Sequence, residues 1–362
     1  DNLIEYYKGA RRNDLFLSHA VTNPRGMGRL SDGPGSNDTP SPTLRVVAEE
    51  DDGVVINGLK MIGTASVYCH EAWVGNLQPV RPGQEAETIT CSVPLNAPGV
   101  SIWSRKPYGA GTTSEFDRPL SYRYDETDAA VLFENVKVPW EKVFLHNSVE
   151  MTREIYMQTP GHSLANHQAN VRFLEKLKMI VAIAHKLTVS NRAGGIPAVQ
   201  SVLGKLAAKL ATLEGLIMGQ LYGCEEVVPG SGFVTVNRRY MYAALHWCTN
   251  NHSDICDIVR ELMGGGPIQM PADDSVMTDP ELGEKFETYW SVQDQTAKDR
   301  MKLIRLAWDI LGTEFAGRHM LYEKFYAGPG FVMDSYSYNA CPWDDLDEIV
   351  DGLMTGYDIT DR

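Results

Sequence analysis

His19 stands in Leu15-Phe-Leu-Ser-His19-Ala-Val-Thr-Asn23-Pro24-Arg25-Gly26, a histidine just ahead of a turn. Its imidazole can hydrogen-bond the oxygen of a bound hydroxyl or take the proton from it. Asn23-Pro24 stops the preceding structure, and Arg25-Gly26-Met27 can bring backbone N–H groups close to a ligand. Alone the motif is weak, because a single histidine before a turn more often serves the structure. Thr64 closes Gly58-x-Lys60-x-x-x-Thr64. Its hydroxyl can bond a ligand heteroatom, although a β-branched strand residue needs no ligand to explain it.

Two later segments carry positive charge suited to phosphate. Arg192 lies in Asn191-Arg192-Ala-Gly194-Gly195-Ile-Pro197, and its planar fork matches phosphate oxygens. In Thr313-Glu-Phe315-Ala-Gly317-Arg318-His319, Gly317 permits close backbone approach and Arg318 supplies charge for a pyrophosphate. Gly264-Gly-Gly-Pro267 can cradle an anion, but a helix stop explains it equally well. His162 and His167 are five residues apart, which on a helix turns the side chains about 140° from each other. Capping and packing suit them better than a metal.

The elements that must position these residues change period along the chain. Residues 1–17 read as the end of a helix. Residues 18–147 hold short apolar runs between turn signals: Val54–Ile56, Asn57-Gly58 and Leu59–Ile62 read as strand, turn and strand, and Thr64 follows directly. Glu87–Val93, Ala130–Phe133 and Val136–Val138 are further strands, the last two forming a pair. Gly33–Pro42 is a turn-rich excursion. Several such strands predict a small barrel or sandwich.

From 148 to 362 the spacing is helical. Val171, Leu174, Leu177 and Val181 mark one helix, and Val199 to Ile217 a second, with Pro197 in its first turn. Phe233–Cys248 and Ser253–Met263 are expected as two more, stopped by Gly264. A last helix is expected from Trp290 to Leu311, extending towards Phe325, with Tyr322, Phe325 and Tyr326 in the core. The fold class is α+β, a β domain followed by a helical bundle.

The chain has 362 residues, 43% hydrophobic and 22% charged, enough for two domains with a sizeable core. Its formal net charge is −14, which repels nucleic acid and anionic membranes. No apolar run is long enough to span a membrane. Six cysteines without a C-x-x-C pair read as buried free thiols, fitting a reducing cytoplasm. The chain begins at Asp1 without an initiator Met and enters directly into a helical pattern, so residues are expected upstream.

The His19 segment, Asn57-Gly-Leu-Lys60-Met-Ile-Gly-Thr64 and Phe315-Ala-Gly-Arg318-His319 together resemble the large, oxygenase component of the two-component 4-hydroxyphenylacetate 3-monooxygenases. Ala129-Ala-Val-Leu-Phe133 through Val138-Pro139 resembles a scaffold pattern of the acyl-CoA dehydrogenase superfamily. The resemblance implies an acyl-CoA dehydrogenase-like fold whose N-terminal helical domain precedes Asp1. It implies FAD, delivered as FADH2 by a separate NAD(P)H:flavin reductase, with O2 as co-substrate. A flavin C4a-hydroperoxide would hydroxylate a phenol ortho to its hydroxyl.

His19 would contact the phenol, and Arg25, Gly26, Met27 and Thr64 the flavin. Arg192, Thr313, Phe315 and Arg318 would also hold the cofactor. In the superfamily's Arg-x-x-Phe-Gly segment, however, Gly194 stands here for the phenylalanine. A cytoplasmic homotetramer is implied, with no metal. The alternatives are a 4-hydroxybutyryl-CoA dehydratase-like lyase, whose His-x6-Cys cluster segment is lacking, and an acyl-CoA dehydrogenase, whose Tyr-Glu-Gly-Thr glutamate segment is only approached at Tyr322-Glu323-Lys324.

Overall fold

Alternation of small apolar residues builds the first half of the chain, and long amphipathic helices the second. A computed structural model describes residues 1–24, 42–77, 80–112 and 114–358. It divides into one unit of residues 1–111 and 122–162 and another of residues 112–121 and 163–362.

In the first unit, helix α1 (Asn2–Arg12) ends well before residue 17, and strand β1 (Leu17–Ala20) follows. The remaining strands are β2 (Arg45–Glu50), β3 (Gly53–Lys60), β4 (Glu71–Val74), β5 (Thr90–Pro94) and β6 (Val100–Ser104). After the short helix α2 (Pro119–Tyr124), at the division between the units, come β7 (Ala129–Pro139), β8 (Val143–Leu145) and helix α3 (Val149–Met157). One sheet has the order β1-β4-β5-β8, with β1 parallel to β4, and the other the antiparallel order β2-β3-β7-β6. Val54, Ile56, Val131 and Phe133 from one sheet join Ala20, Val74, Cys91 and Val93 from the other in a single core. Each fully buried side chain of the size of Ile or Phe contributes roughly 1.5–3 kcal/mol.

Two expected turns are bulges instead. Residues 54–60 form one strand, and the β2–β3 hairpin turns at Asp51-Asp52. Gly58 has φ +134°, and a Cβ there would lie 2.5 Å from Leu44 Cα, so glycine is needed for close approach and not for a hairpin. The expected strand pair at 129–139 is likewise the single strand β7. Asn135, at φ 52°, accepts from Asn57 Nδ2 at 3.0 Å, joining the irregularities of β3 and β7. Because β3 ends at Lys60, Thr64 stands beyond the strand in a loop of its own.

The second unit contains α4 (Pro160–Ser190) over most of its length, then α5 (Pro197–Tyr222) and a small hairpin, β9 (Glu225–Glu226) and β10 (Val234–Thr235). Helices α6 (Arg238–Met263), α7 (Gly266–Gln269), α8 (Pro280–Trp290), α9 (Ala297–Leu311), α10 (Glu314–Phe325), α11 (Gly330–Asn339) and α12 (Trp343–Met354) complete it. Leu177, Ile180, Ala184 and Leu187 give α4 a buried face at three- and four-residue steps. Helix α6 packs against α5, α9, α10 and α11.

Helix α6 replaces the two helices expected around Asn250. The side chains of Asn250 and Asn251 donate to the carbonyls of His246 and Trp247, at 3.0 and 2.9 Å, so their polarity is satisfied within a continuous helix. Gly264, at φ 59°, caps it as predicted.

The expected last helix is broken. A Cβ on Gly312 would meet the Trp308 ring at 2.3 Å, and Thr313 accepts from Ala316 N at 3.3 Å to start α10 anew. Phe325 and Tyr326 are exposed, not core, whereas Phe315 is buried. All six cysteines are free, but burial holds only for Cys91, Cys248 and Cys256, and Cys224 is exposed. Among the described residues, no helix is long and apolar enough to cross a membrane.

Candidate functional site

Strand β1 alternates buried Ser18 and Ala20 with outward His19. In the parallel register His19 lies opposite Trp73, whose ring stacks on Phe144 with centroids 5.0 Å apart. His19 is exposed, yet desolvation by the surrounding protein holds its imidazole below the ordinary 6.5. Near neutral pH it is therefore an uncharged acceptor and proton carrier.

The Thr64 loop lies against the same strand. Ser18 Oγ donates to the Thr64 carbonyl at 2.9 Å and lies 3.0 Å from Ser66 Oγ, while Met61 N donates to Thr22 O at 2.8 Å. Ile62 and Ala65 have φ of 58° and 61°, conformations costly for side chains with a Cβ. Bonds from Gly63 N to Ala129 O (2.7 Å) and from Ala65 N to Thr127 O (2.9 Å) hold them there. A Cβ on Gly63 would sit 2.5 Å from Ser66 Oγ. Thr64 Oγ1 donates to Asp128 Oδ1 at 2.9 Å, and Arg105 binds the other oxygen of Asp128 at 3.0 Å. The Thr64 hydroxyl thus has its proton engaged and lone pairs left to accept from a ligand N–H. Ile62 and Tyr68 beside it are more than half exposed, an apolar surface next to a fixed polar group.

Arg25, Gly26 and Met27 lie outside the described residues, as does most of the excursion at 33–42.

In the helical unit, Arg192 has φ 55° just beyond α4 and a half-exposed guanidinium. It donates to Gln293 Oε1 at 3.3 Å and lies 4.0 Å from Asp294. Thr313 Oγ1 caps α10 and donates to Asp309 O at 2.9 Å, so its hydrogen-bonding capacity is already used by the helix. Phe315 meets the edge of the His319 ring, with centroids 4.3 Å apart. Arg318 lies over Tyr322 at 5.0 Å, and Arg172 over the same ring at 4.0 Å. Thr313, Phe315 and Arg318 therefore share one helix start. Lys176, which touches α10, lies about 21 Å along the helix from the end of α4 at Ser190, and Arg192 follows that end.

A buried ionic cluster underlies α10. Arg172 grips Glu323 with both terminal nitrogens, at 2.7 and 3.0 Å, and Lys176 bonds both Glu323 and His319 Nδ1, the latter at 2.8 Å. An ammonium only donates, so Nδ1 carries the lone pair and His319 is neutral. Burial, reinforced by Lys176 and Arg318, pushes its pKa down to about 2. Burial pushes the Glu323 carboxyl up, but Lys176 and Arg172 outweigh that and hold it below the usual carboxylate range.

Sequence reasoning gave Lys60 no role. It is 1% exposed on β3, with Nζ 2.6 Å from Asn23 Oδ1 and 2.7 Å from both Gly75 O and Asn76 Oδ1. With β3 unbroken from Gly53 to Lys60, the period-2 phase of buried Val54 and Ile56 points position 60 inward, a signal that the expected turn at Asn57-Gly58 concealed. His162 is buried against Tyr156, and His167 Nδ1 pairs with Gln220 Oε1 at 2.8 Å, as packing roles require. Among the described residues, no group of three His, Cys, Asp or Glu side chains is placed to hold a metal.

A two-sheet β unit followed by a long-helix bundle defines an acyl-CoA dehydrogenase-like fold. A steroid acyl-CoA dehydrogenase variant superposes with TM-score 0.55 at 16% identity, over 98% of this chain and 72% of that one. Within that class the chain belongs to the 4-hydroxyphenylacetate 3-hydroxylase family: residues 1–145 match its N-terminal profile and residues 152–355 its C-terminal profile.

The oxygenase component of 4-nitrophenol 2-monooxygenase from Rhodococcus sp is 28% identical over 332 residues, covering 91% of this chain and 62% of that protein. The oxygenase component (HpaB) of 4-hydroxyphenylacetate 3-monooxygenase, solved with FAD and 4-hydroxyphenylacetate, has TM-score 0.88 at 26% identity. That likeness covers 98% of this chain and 73% of the solved one. The chain spans 62–65% of the length of the first curated relatives it matches.

Proposed function

We propose that this chain carries the reaction site of an FADH2- and O2-dependent phenol monooxygenase, the oxygenase component of a two-component system. The observation that carries this reading is an imidazole kept neutral on an outward strand position, tied through Ser18 to the strained loop that presents Thr64. The types of donor present in each unit suit a flavin. In the β unit Thr64 can accept from a ring N–H beside the apolar surface of Ile62; in the helical unit Arg318 offers a guanidinium suited to a phosphate, and Arg192, far along α4 from it, is proposed to serve the flavin of a neighbouring subunit. Thr313 and Phe315 set the start of the helix that carries Arg318, and Arg25, Gly26 and Met27 are further proposed flavin contacts.

Reduced FAD, when bound, supplies two electrons and activates O2 so that one oxygen atom goes to the ring and the other to water. His19 accepts the phenol hydrogen bond and draws off the proton as the ring becomes electron-rich at the ortho carbon. Being neutral, it can take that proton without prior deprotonation. A 4-hydroxyphenylacetate-like or other simple phenol is the substrate, a separate reductase supplies the flavin, and the working assembly is a cytoplasmic homotetramer.

The test is anaerobic titration of the full-length protein with reduced FAD, followed by oxygenated buffer containing 4-hydroxyphenylacetate or 4-nitrophenol. Saturable binding and a catechol product are expected. Failure to bind reduced flavin would overturn the reading.

A further inference from the structure

Lys60 occupies a position where an apolar side chain would fill the space without the cost of burying an amine. Its three acceptors are all neutral oxygens, and they match the three N–H donors of an ammonium one for one. Asn23 closes the His19 segment immediately before Pro24. Gly75 and Asn76 begin the segment that leaves β4, and Asn76 Nδ2 in turn donates to Glu87 O at 2.6 Å. The backbone reinforces the same junction: Gly75 N donates to Ala20 O and Leu77 N to Val21 O, each at 3.3 Å.

We propose that Lys60 is a positioning residue that locks the His19–Pro24 segment to the segment starting at Gly75, so that the histidine face and the loop beside it keep one geometry. The consequence for substrate rests on the reading of His19 given above; the lock itself does not. Removal of one N–H leaves two donors for three acceptors, and one tie must loosen. The groups facing the amine are Glu87, from the turn Glu85–Glu87, and Cys91, from β5. Burial lowers the Lys60 pKa to about 7, and those two groups only partly oppose it.

Amide hydrogen exchange on the full-length protein tests this, comparing wild type, Lys60→Met and Lys60→Gln. In Lys60→Met the amides of Gly75, Leu77 and Met61 should exchange about tenfold faster, with the helical unit unchanged. Lys60→Gln, which supplies two N–H groups, should fall between. Lys60→Gln decides the matter if Lys60→Met does not fold. Unchanged protection of these amides in Lys60→Gln would overturn the proposal, as would a uniform rise throughout the sandwich. None of these readouts needs turnover, so an inactive wild type would count against the monooxygenase reading alone. If both readings hold, the variants also lose kcat/KM for the phenol.

Discussion

Ser18 donates to the carbonyl of Thr64 across 46 residues of sequence, at 2.9 Å. This one bond joins the strand that carries His19 to the loop that carries the proposed flavin contact. Ser18 points inward and His19 outward because adjacent strand residues face opposite ways. The scaffold bond and the chemical group are thus consecutive in the chain.

His19 should be replaceable without loss of fold, because its side chain lies on the exposed face of β1. His19→Asn is expected to lower kcat with a phenol by roughly 10²–10⁴-fold, the usual worth of a positioned acid–base group, and to leave reduced-flavin binding intact. The pH profile gives the sharper check. The folded pKa is depressed, so the neutral imidazole persists below 6.5, and the acid limb of wild-type kcat/KM should fall at lower pH than for a free histidine. An acid limb at or above 6.5 would exclude His19 as the base.

Much of this arrangement was legible before any coordinates. The change of period near residue 148, Pro197 at a helix start and Gly264 at a helix stop are local signals, and the structure keeps them. Asn57-Gly58 misled because a hairpin signal is also local, whereas the demand on Gly58 comes from the Leu44 backbone packed against it. Asn250 and Asn251 weakened the helical pattern, but packing of α6 against several helices overrides propensity. His19 and Thr64 could be named singly. Their coupling through Ser18, and the three acceptors around Lys60, depend on pairings between distant segments that no spacing rule contains.

Lys60 also makes global stability depend on pH, with a definite sign. Its pKa falls from 10.5 in the unfolded chain to about 7 in the fold, so the unfolded state binds more protons between those values. Stability from this group therefore rises as pH goes from about 7 towards 10.5, by an amount on the order of a few kcal/mol. Urea unfolding at pH 6, 8 and 10 should show this rise in wild type, and Lys60→Met should flatten it. An equal rise in the variant would assign the effect to other groups.

Asp309 is fully buried and receives Leu120 N and Ser121 N on one oxygen, both at 2.8 Å, with Ser121 Oγ at 2.9 Å on the other. It anchors the 112–121 segment to α9, and Arg305 lies 3.3 Å from Asp117 in the same segment. Asp309→Ala strands two backbone N–H groups and should cost roughly 2–4 kcal/mol. Asp309→Asn keeps one acceptor and should cost less. Denaturant midpoints for the two variants give the ordering, and equal midpoints would show that the anchor contributes little.

Glu323 balances Arg172 and Lys176 beneath α10, with only 4% of its side chain exposed. Glu323→Gln leaves two cations facing each other without their carboxylate, and should destabilise the helical unit by roughly 3–5 kcal/mol. Lys176→Met in that background removes one of the stranded charges and should recover part of the loss, since groups in one network do not act additively. The wild-type sign on acidification is also fixed. A carboxyl depressed in the fold contributes stability above its unfolded pKa of 4.5 and loses it as pH falls through the lower folded value. Thermal unfolding between pH 3 and 6 should show a downward slope towards acid that is shallower in Glu323→Gln. Because Arg318, a proposed phosphate contact, lies on the same helix, the single variant should also weaken reduced-FAD binding. Undiminished flavin affinity in a destabilised Glu323→Gln protein would separate the ionic cluster from the cofactor site.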